Sequence, residues 1–165
     1  MSTSDATQPA ATDYRSLAVF AGLITVVAFA GGSVSPTGDP DEWYETLNRP
    51  WFNPPNWVFP VAWTTLYAMI AAAGWLVYRA TGSWTSAPVI TWYVQAVLNA
   101  AWSFIFFGLE SPYFGLIELI WLSFSIAVFI ILAWPLSRIA ALLFVPYLAW
   151  VTFAGALNYA IWQMN

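Results

Sequence analysis

The sequence predicts an all-α integral membrane protein, a five-transmembrane-helix bundle with a long first loop acting as a lid. Three observations predict it. The chain of 165 residues is 61% apolar and 7% charged, against roughly 25% charged for a typical soluble domain. Five apolar runs approach the ~20 residues that a helix needs to cross a bilayer. The twelve tryptophans fall mostly within those runs or at their ends, where indole rings settle at the headgroup level.

The runs lie at 16–34, 58–78, 89–109, 113–134 and 139–164. In hydrocarbon each backbone N–H and C=O must be satisfied inside the protein, so these segments are helices and not strands. Residues 1–15 are a polar tail expected to be disordered, and 16–165 form one transmembrane domain. The first run reads as a span and not as a cleaved signal. Only Arg15 and acids precede it, and Gly31-Gly32-Ser33-Val34-Ser35 is a poor cleavage site. Pro60, Pro88 and Pro112 stand in or just before first turns, where a missing N–H costs little. Ser111 is placed to cap the fourth span. Pro135 follows that span. Pro146 lies inside the fifth, where it should free a carbonyl near Leu142 and bend the helix. The last three connections are short, which makes spans two to five antiparallel neighbours.

The charges set orientation and exclude chemistry. Arg15, Arg79 and Arg138 share one side of a five-span chain and Arg49 stands alone on the other. The positive-inside rule then puts the N-terminus in the cytoplasm and the C-terminus outside, in what we expect to be a prokaryotic cell membrane. The chain has no cysteine and no histidine. Disulfides, thiol nucleophiles and the usual zinc, haem and general-base groups are therefore missing, and no metal site is expected. Four scattered arginines cannot make a nucleic-acid patch. The expected surroundings are the lipid bilayer.

The organised connection is the first. Residues 35–57 read SPTGDPDEWYETLNRPWFNPPNW. Trp43, Tyr44, Trp51, Phe52 and Trp57 need either apolar cover or a membrane interface. Asp41 to Leu47 can make about two helical turns after Pro40, by the pitch of an α-helix. Arg49-Pro50 and Asn53-Pro54-Pro55 should be extended, since a residue before proline avoids the helical region. Two readings stand side by side: an aromatic belt at the headgroups, or a lid held by Trp43, Leu47, Arg49 and Trp51 over a pocket between helices.

Two helix faces carry polar groups. Gln95, Asn99, Trp102 and Phe106 share one face of the third span, as interhelical hydrogen-bonding groups or as ligand contacts. Trp150, Ala154, Leu157, Asn158 and Ile161 share a face of the fifth. Its small residues, Ala154, Gly155 and Ala156, suit either close helix packing or a flat ligand. Glu118 either reaches the interface or faces a polar interior.

Trp43-Tyr44, Leu47, Arg49-Pro50, Pro54-Pro55-Asn56-Trp57-Val58-Phe59, Trp63-Thr64 and Leu66-Tyr67 resemble a motif of the tryptophan-rich sensory protein family, also called the translocator protein or TspO family. Gln95, Leu98-Asn99, Trp102 and Phe106-Phe107-Gly108 are similar to its third helix. Pro146-Tyr147-Leu148-Ala149-Trp150, Phe153, Leu157-Asn158-Tyr159, Trp162 and Asn165 are similar to its fifth. The resemblance implies a compact five-helix bundle with a pocket closed by the first loop. It implies porphyrins or sterol-like and drug-like aromatic molecules as ligands, with Trp63 and Trp150 flanking the ligand and Asn99 and Trp102 lining the pocket. No cofactor is required; porphyrin or haem would enter as a ligand, without histidine ligation.

Two departures narrow what the resemblance implies. The family's sterol motif needs a cation after the tyrosine of the fifth helix, and Gln163 stands there. Ile90 and Val94 replace a glycine pair that some members use as a dimer contact, so a homodimer would need another seam, such as Ala18/Gly22 and Ala28/Gly32. The loop's net charge of −3, from four acids and Arg49, would also repel an ionised porphyrin unless salt screens it.

The leading expectation is a membrane binding protein for tetrapyrroles or similar flat apolar molecules, acting as sensor, regulator or carrier. One alternative is an enzyme degrading porphyrin by light and oxygen, with tryptophan as electron donor. No acid–base pair supports ordinary hydrolysis. Another is a porphyrin or lipid transporter, against which stands the lack of an internal repeat.

Overall fold

The computed structural model describes residues 14–39 and 42–165. The expected disordered tail therefore lies almost wholly outside the described residues, as do Pro40 and Asp41. Six α-helices follow in order: α1 (Tyr14–Gly32), α2 (Trp43–Thr46), α3 (Val58–Thr81), α4 (Ala87–Ser103), α5 (Pro112–Ala133) and α6 (Arg138–Met164). A π-helical turn, Phe104–Gly108, extends α4. Five of these segments are long and apolar enough to cross a membrane, α4 counting together with its π turn.

Local chemistry sets the helix ends. Ser111 caps α5, its side chain accepting from Phe114 N–H, and Ser137 caps α6 by accepting from Ala140 N–H at 3.2 Å. Pro88 and Pro112 occupy first-turn positions. The α1 helix stops before Val34 because Ser33, Val34 and Ser35 turn back onto its last carbonyls. The α3 helix runs past residue 78 to Thr81, where Gly82 adopts a left-handed φ of 63° and donates its N–H to Tyr78 O at 2.7 Å. The α6 helix continues unbroken through Pro146. In the first loop α2 is a single turn, shorter than the two turns expected, and its described part begins at Trp43.

The spans close into a ring. The α5 helix packs along α6 and α4, α3 packs on α6, and α1 lies against both α3 and α4. This corrects one expectation. The consecutive spans α3 and α4 are not packed neighbours; they touch only lightly. A short connection fixes direction but not adjacency, and α1 takes the groove between them. The core between the spans is aromatic: Phe20, Trp92, Phe129, Phe144 and Tyr147 are all fully buried. The Phe129 and Phe144 rings stack at 3.8 Å and join α5 to α6. Outward positions such as Val26, Val97, Ile120, Phe124 and Ile131 stay exposed, as expected of helices solvated by lipid.

Candidate functional site

All the elements that turn at the end bearing the first loop contribute to one cavity of about 570 Å³. Trp63, Asn99, Trp102, Trp150, Ala154, Leu157 and Asn158, singled out in the sequence, all line it. One wall comes from α3 and α6. Trp63 stacks on Tyr67 at 5.2 Å, meets Trp150 edge-on at 6.4 Å and 85°, and Trp150 meets Phe59 at 6.0 Å. A second wall comes from α4 and its π turn, where Trp102 stacks on Phe106 at 5.1 Å and 22°. Leu119 and Leu122 of α5 complete the interior.

Trp63 and Trp150 touch each other edge to face and form one continuous wall; both it and the Trp102–Phe106 pair line the cavity. Offset or edge-on ring contacts add about 0.5–1.5 kcal/mol each beyond area burial, so both walls are suited to an aromatic guest.

The polar groups at the cavity are spent on joining helices. Tyr67 of α3 donates its hydroxyl to Asn99 Oδ1 at 3.1 Å. Asn99 Nδ2 donates to the Tyr147 hydroxyl at 3.0 Å. One amide thus ties α3, α4 and α6 together. Asn158 does the same on the other side, accepting from Trp102 Nε1 at 3.3 Å and donating to Pro112 O at 2.6 Å. Both amides are at least 95% buried, with 5% and 1% exposure. They shape the cavity while satisfying each other's neighbours. Gln95, on the same face of α4, is fully buried and donates to Trp92 O, but it does not line the cavity. The sequence reading missed Tyr67 and Tyr147 as polar partners. Their signal was there: a phenol inside an apolar run calls for a hydrogen-bond partner.

The first loop lies across the mouth. Trp43 packs edge-on against Phe106 at 5.7 Å, and Tyr44, 8% exposed, meets Phe107 at 5.5 Å. Leu47 and Phe52 join the same apolar cluster. Arg49 pairs with Glu45 at 2.7 Å and lies over the Tyr44 ring at 5.1 Å. Asn165 clamps the loop to the end of α6. Its Oδ1 accepts from Asn48 N–H at 3.0 Å and its Nδ2 donates to Asn48 O at 3.1 Å. Trp51 departs from the expectation: it is 94% exposed and touches only Phe52 among the aromatic rings. It is an outward residue, suited to the interface, and Tyr44 takes the anchoring place assigned to it. Of the acids in α2 and just before it, Glu45 pairs with Arg49 and Glu42 bonds elsewhere, while Asp41 lies outside the described residues.

Glu42 instead holds the loop's entry. Its carboxylate accepts from Thr37 N–H at 2.8 Å, the Thr37 hydroxyl at 2.8 Å and Gly38 N–H at 3.2 Å. The Thr37 backbone and hydroxyl bonds, with those from Gly38 and Asp39, hold this carboxyl below the usual glutamate range. Burial pushes the Tyr44 phenol up, against the opposing pull of Arg49.

On the α1 side, Ala28 and Gly32 line the cavity. Of that small-residue seam, Ala28 is partly buried, while Ala18, Gly22 and Gly32 are exposed.

Residues 20–163 match the model of the TspO/MBR family. The chain belongs to the TspO/MBR family. It is 38% identical to "Protein CrtK" of Rhodobacter capsulatus over 152 residues, covering 91% of this chain and 94% of that one. It is 37% identical to the "Tryptophan-rich protein TspO" of Archaeoglobus fulgidus, covering 90% of this chain and 97% of that one. It is 35% identical to the human "Translocator protein", covering 81% of each. Membership in the TspO/MBR family agrees with the five-span ring and makes the chain an integral membrane protein.

Proposed function

We propose that this chain is a membrane-embedded binding protein for tetrapyrroles or similarly flat apolar molecules, acting as a sensor, regulator or carrier. The single observation that carries this reading is that two aromatic pairs, Trp63–Trp150 and Trp102–Phe106, line one cavity of about 570 Å³. That volume is in the range of small-molecule sites, roughly 300–1,000 Å³. No cofactor is needed. A porphyrin or haem would be a guest held by stacking, because the chain has no histidine to ligate its metal. The loop keeps its net charge of −3: Arg49 is already counted against Glu45, and the bonds from Thr37 and Gly38 hold Glu42 ionised, so an uncharged or salt-screened guest is favoured. The names "sensory protein" and "translocator protein" borne by relatives are compatible with a binding role. We further propose a prokaryotic cell membrane as the site, with the N-terminus cytoplasmic and the lid outside, from the arginine distribution.

Titrating protoporphyrin into the detergent-solubilised protein tests the reading. The expected result is saturable quenching of tryptophan fluorescence, because the wall indoles sit against the guest. Linear, non-saturating quenching by every tetrapyrrole tried would rule it out. Illuminating the saturated complex separates binding from catalysis: more than one defined product molecule per protein would favour the enzyme.

A further inference from the structure

Glu118 is an acid that the binding reading does not use. It lies in the second turn of α5, 7% exposed, and neither carboxyl oxygen has a hydrogen-bond partner. The acid is thus turned into the bundle, without a hydrogen bond of its own. An isolated carboxylate in such a place is very costly, and proteins avoid it by pairing the charge or neutralising it. No pairing group is present. Among the described residues α4 carries one ionisable side chain, Tyr93, which packs on Trp92 away from this seam. The π turn carries none. On α6, Arg138 lies over Trp134 at the far end and Tyr159 is exposed beside Trp162. Tyr147 of α6 lies near enough to feel a charge on Glu118; its hydroxyl accepts from Asn99 and keeps its own proton to donate.

We infer that Glu118 is a proton-binding site of the membrane core, protonated in the closed bundle, whose deprotonation rearranges the cavity wall. The link to the cavity is geometric. Gly115, one turn before Glu118, lies so close to α6 that a Cβ there would stand 3.0 Å from Asn158 Oδ1 and 3.2 Å from a Phe106 ring carbon. Asn158, bonded to the Trp102 N–H, thus packs against α5 one turn from Glu118. Leu119 and Leu122, the next residues on the α5 inner face, line the cavity. A carboxylate at Glu118 would draw the Asn158 amide and the Trp102 N–H away from their present partners and pull the Trp102 ring from its stack on Phe106. The neutral acid leaves both in place.

Infrared spectroscopy of the empty protein tests this without a ligand, so its failure is distinct from failure of the binding reading. Glu118 is the one acid among the described residues that lies within a membrane span. A carbonyl band of a protonated carboxylic acid should therefore be present at pH 7, disappear in Glu118→Gln, shift in Glu118→Asp and vanish on alkalinisation. Tryptophan emission should change over the same pH interval in the parent and stay flat in Glu118→Gln and in Trp102→Phe. If Glu118→Gln fails to fold, the parent's own titration and Glu118→Asp still decide. Absence of the acid band at neutral pH overturns the proton site. A titrating band with unchanged emission overturns the coupling to the cavity.

Discussion

The indole nitrogen of Trp92 on α4 donates to the carbonyl of Ile70 on α3 at 2.8 Å, through a gap that Gly74 keeps open. A Cβ on Gly74 would stand 2.7 Å from that nitrogen and 2.6 Å from a ring carbon of Phe20. Because α3 and α4 otherwise touch lightly, this bond and the Phe20 ring from α1 are what join three spans at the end away from the lid.

Gly74→Ala should therefore destabilise the empty protein by about 1–3 kcal/mol, the usual cost of overpacking a filled core. Thermal melting in detergent measures it. Trp92→Phe in the same chain should recover only the part of the loss that the indole causes, since the close contact with Phe20 remains. An unchanged melting temperature in Gly74→Ala would mean that the helices separate freely here.

The lid should respond to its buried residues and not to its most conspicuous one. Tyr44→Ala or Trp43→Ala removes ring contacts with Phe106 and Phe107 and should expose the 35–57 loop to protease several-fold faster. Trp51→Ala, at 94% exposure, should leave the cleavage rate near that of the parent. Equal rates for all three variants would make the loop an interfacial belt.

Arg49→Gln should act weakly. The Arg49–Glu45 pair is partly exposed, and such pairs contribute at most about 1 kcal/mol, less in salt. Loop cleavage should rise modestly at low ionic strength, with the difference from the parent fading at high salt. A large, salt-independent effect would assign the holding force to the stack of Arg49 on Tyr44 instead.

Much of this was legible because lipid simplifies the code. Five apolar runs gave five helices, and Ser111 and Pro112 marked an end that the structure keeps. The inward face of the fifth span could be read from the spacing of Trp150, Ala154, Leu157 and Asn158. What could not be read was lateral order. Nothing in the connection from 82 to 86 says that α1 will lie between α3 and α4. The choice between lid anchors was also hidden, because Tyr44 and Trp51 are both aromatic residues next to another aromatic residue in the same loop. Only packing on Phe106 and Phe107 separates them. Likewise Asn99 could be assigned to a face, but its two tyrosine partners sit on other helices.

Acid should loosen the lid's entry. Glu42 is held below the usual glutamate range in the folded chain, so its contribution is present at neutral pH. It is lost as pH falls through that lowered value. Cleavage between Ser35 and Trp43 by an acid-active protease should accelerate over that interval in the parent. In Glu42→Gln it should be fast throughout and without that step. A parent chain whose rate is flat down to strongly acidic pH would show that Thr37 and Gly38 need no carboxylate to stay folded.

Filling the cavity is the most direct check that it is the binding site. Ala154 lines it and is partly buried, so Ala154→Phe places a ring where a flat guest would lie. Protoporphyrin affinity, measured by fluorescence titration alongside a melting curve, should fall at least tenfold, about 1.4 kcal/mol, while the melting temperature holds or rises. Undiminished affinity in a stably folded Ala154→Phe chain would place the site elsewhere and contradict the proposed function.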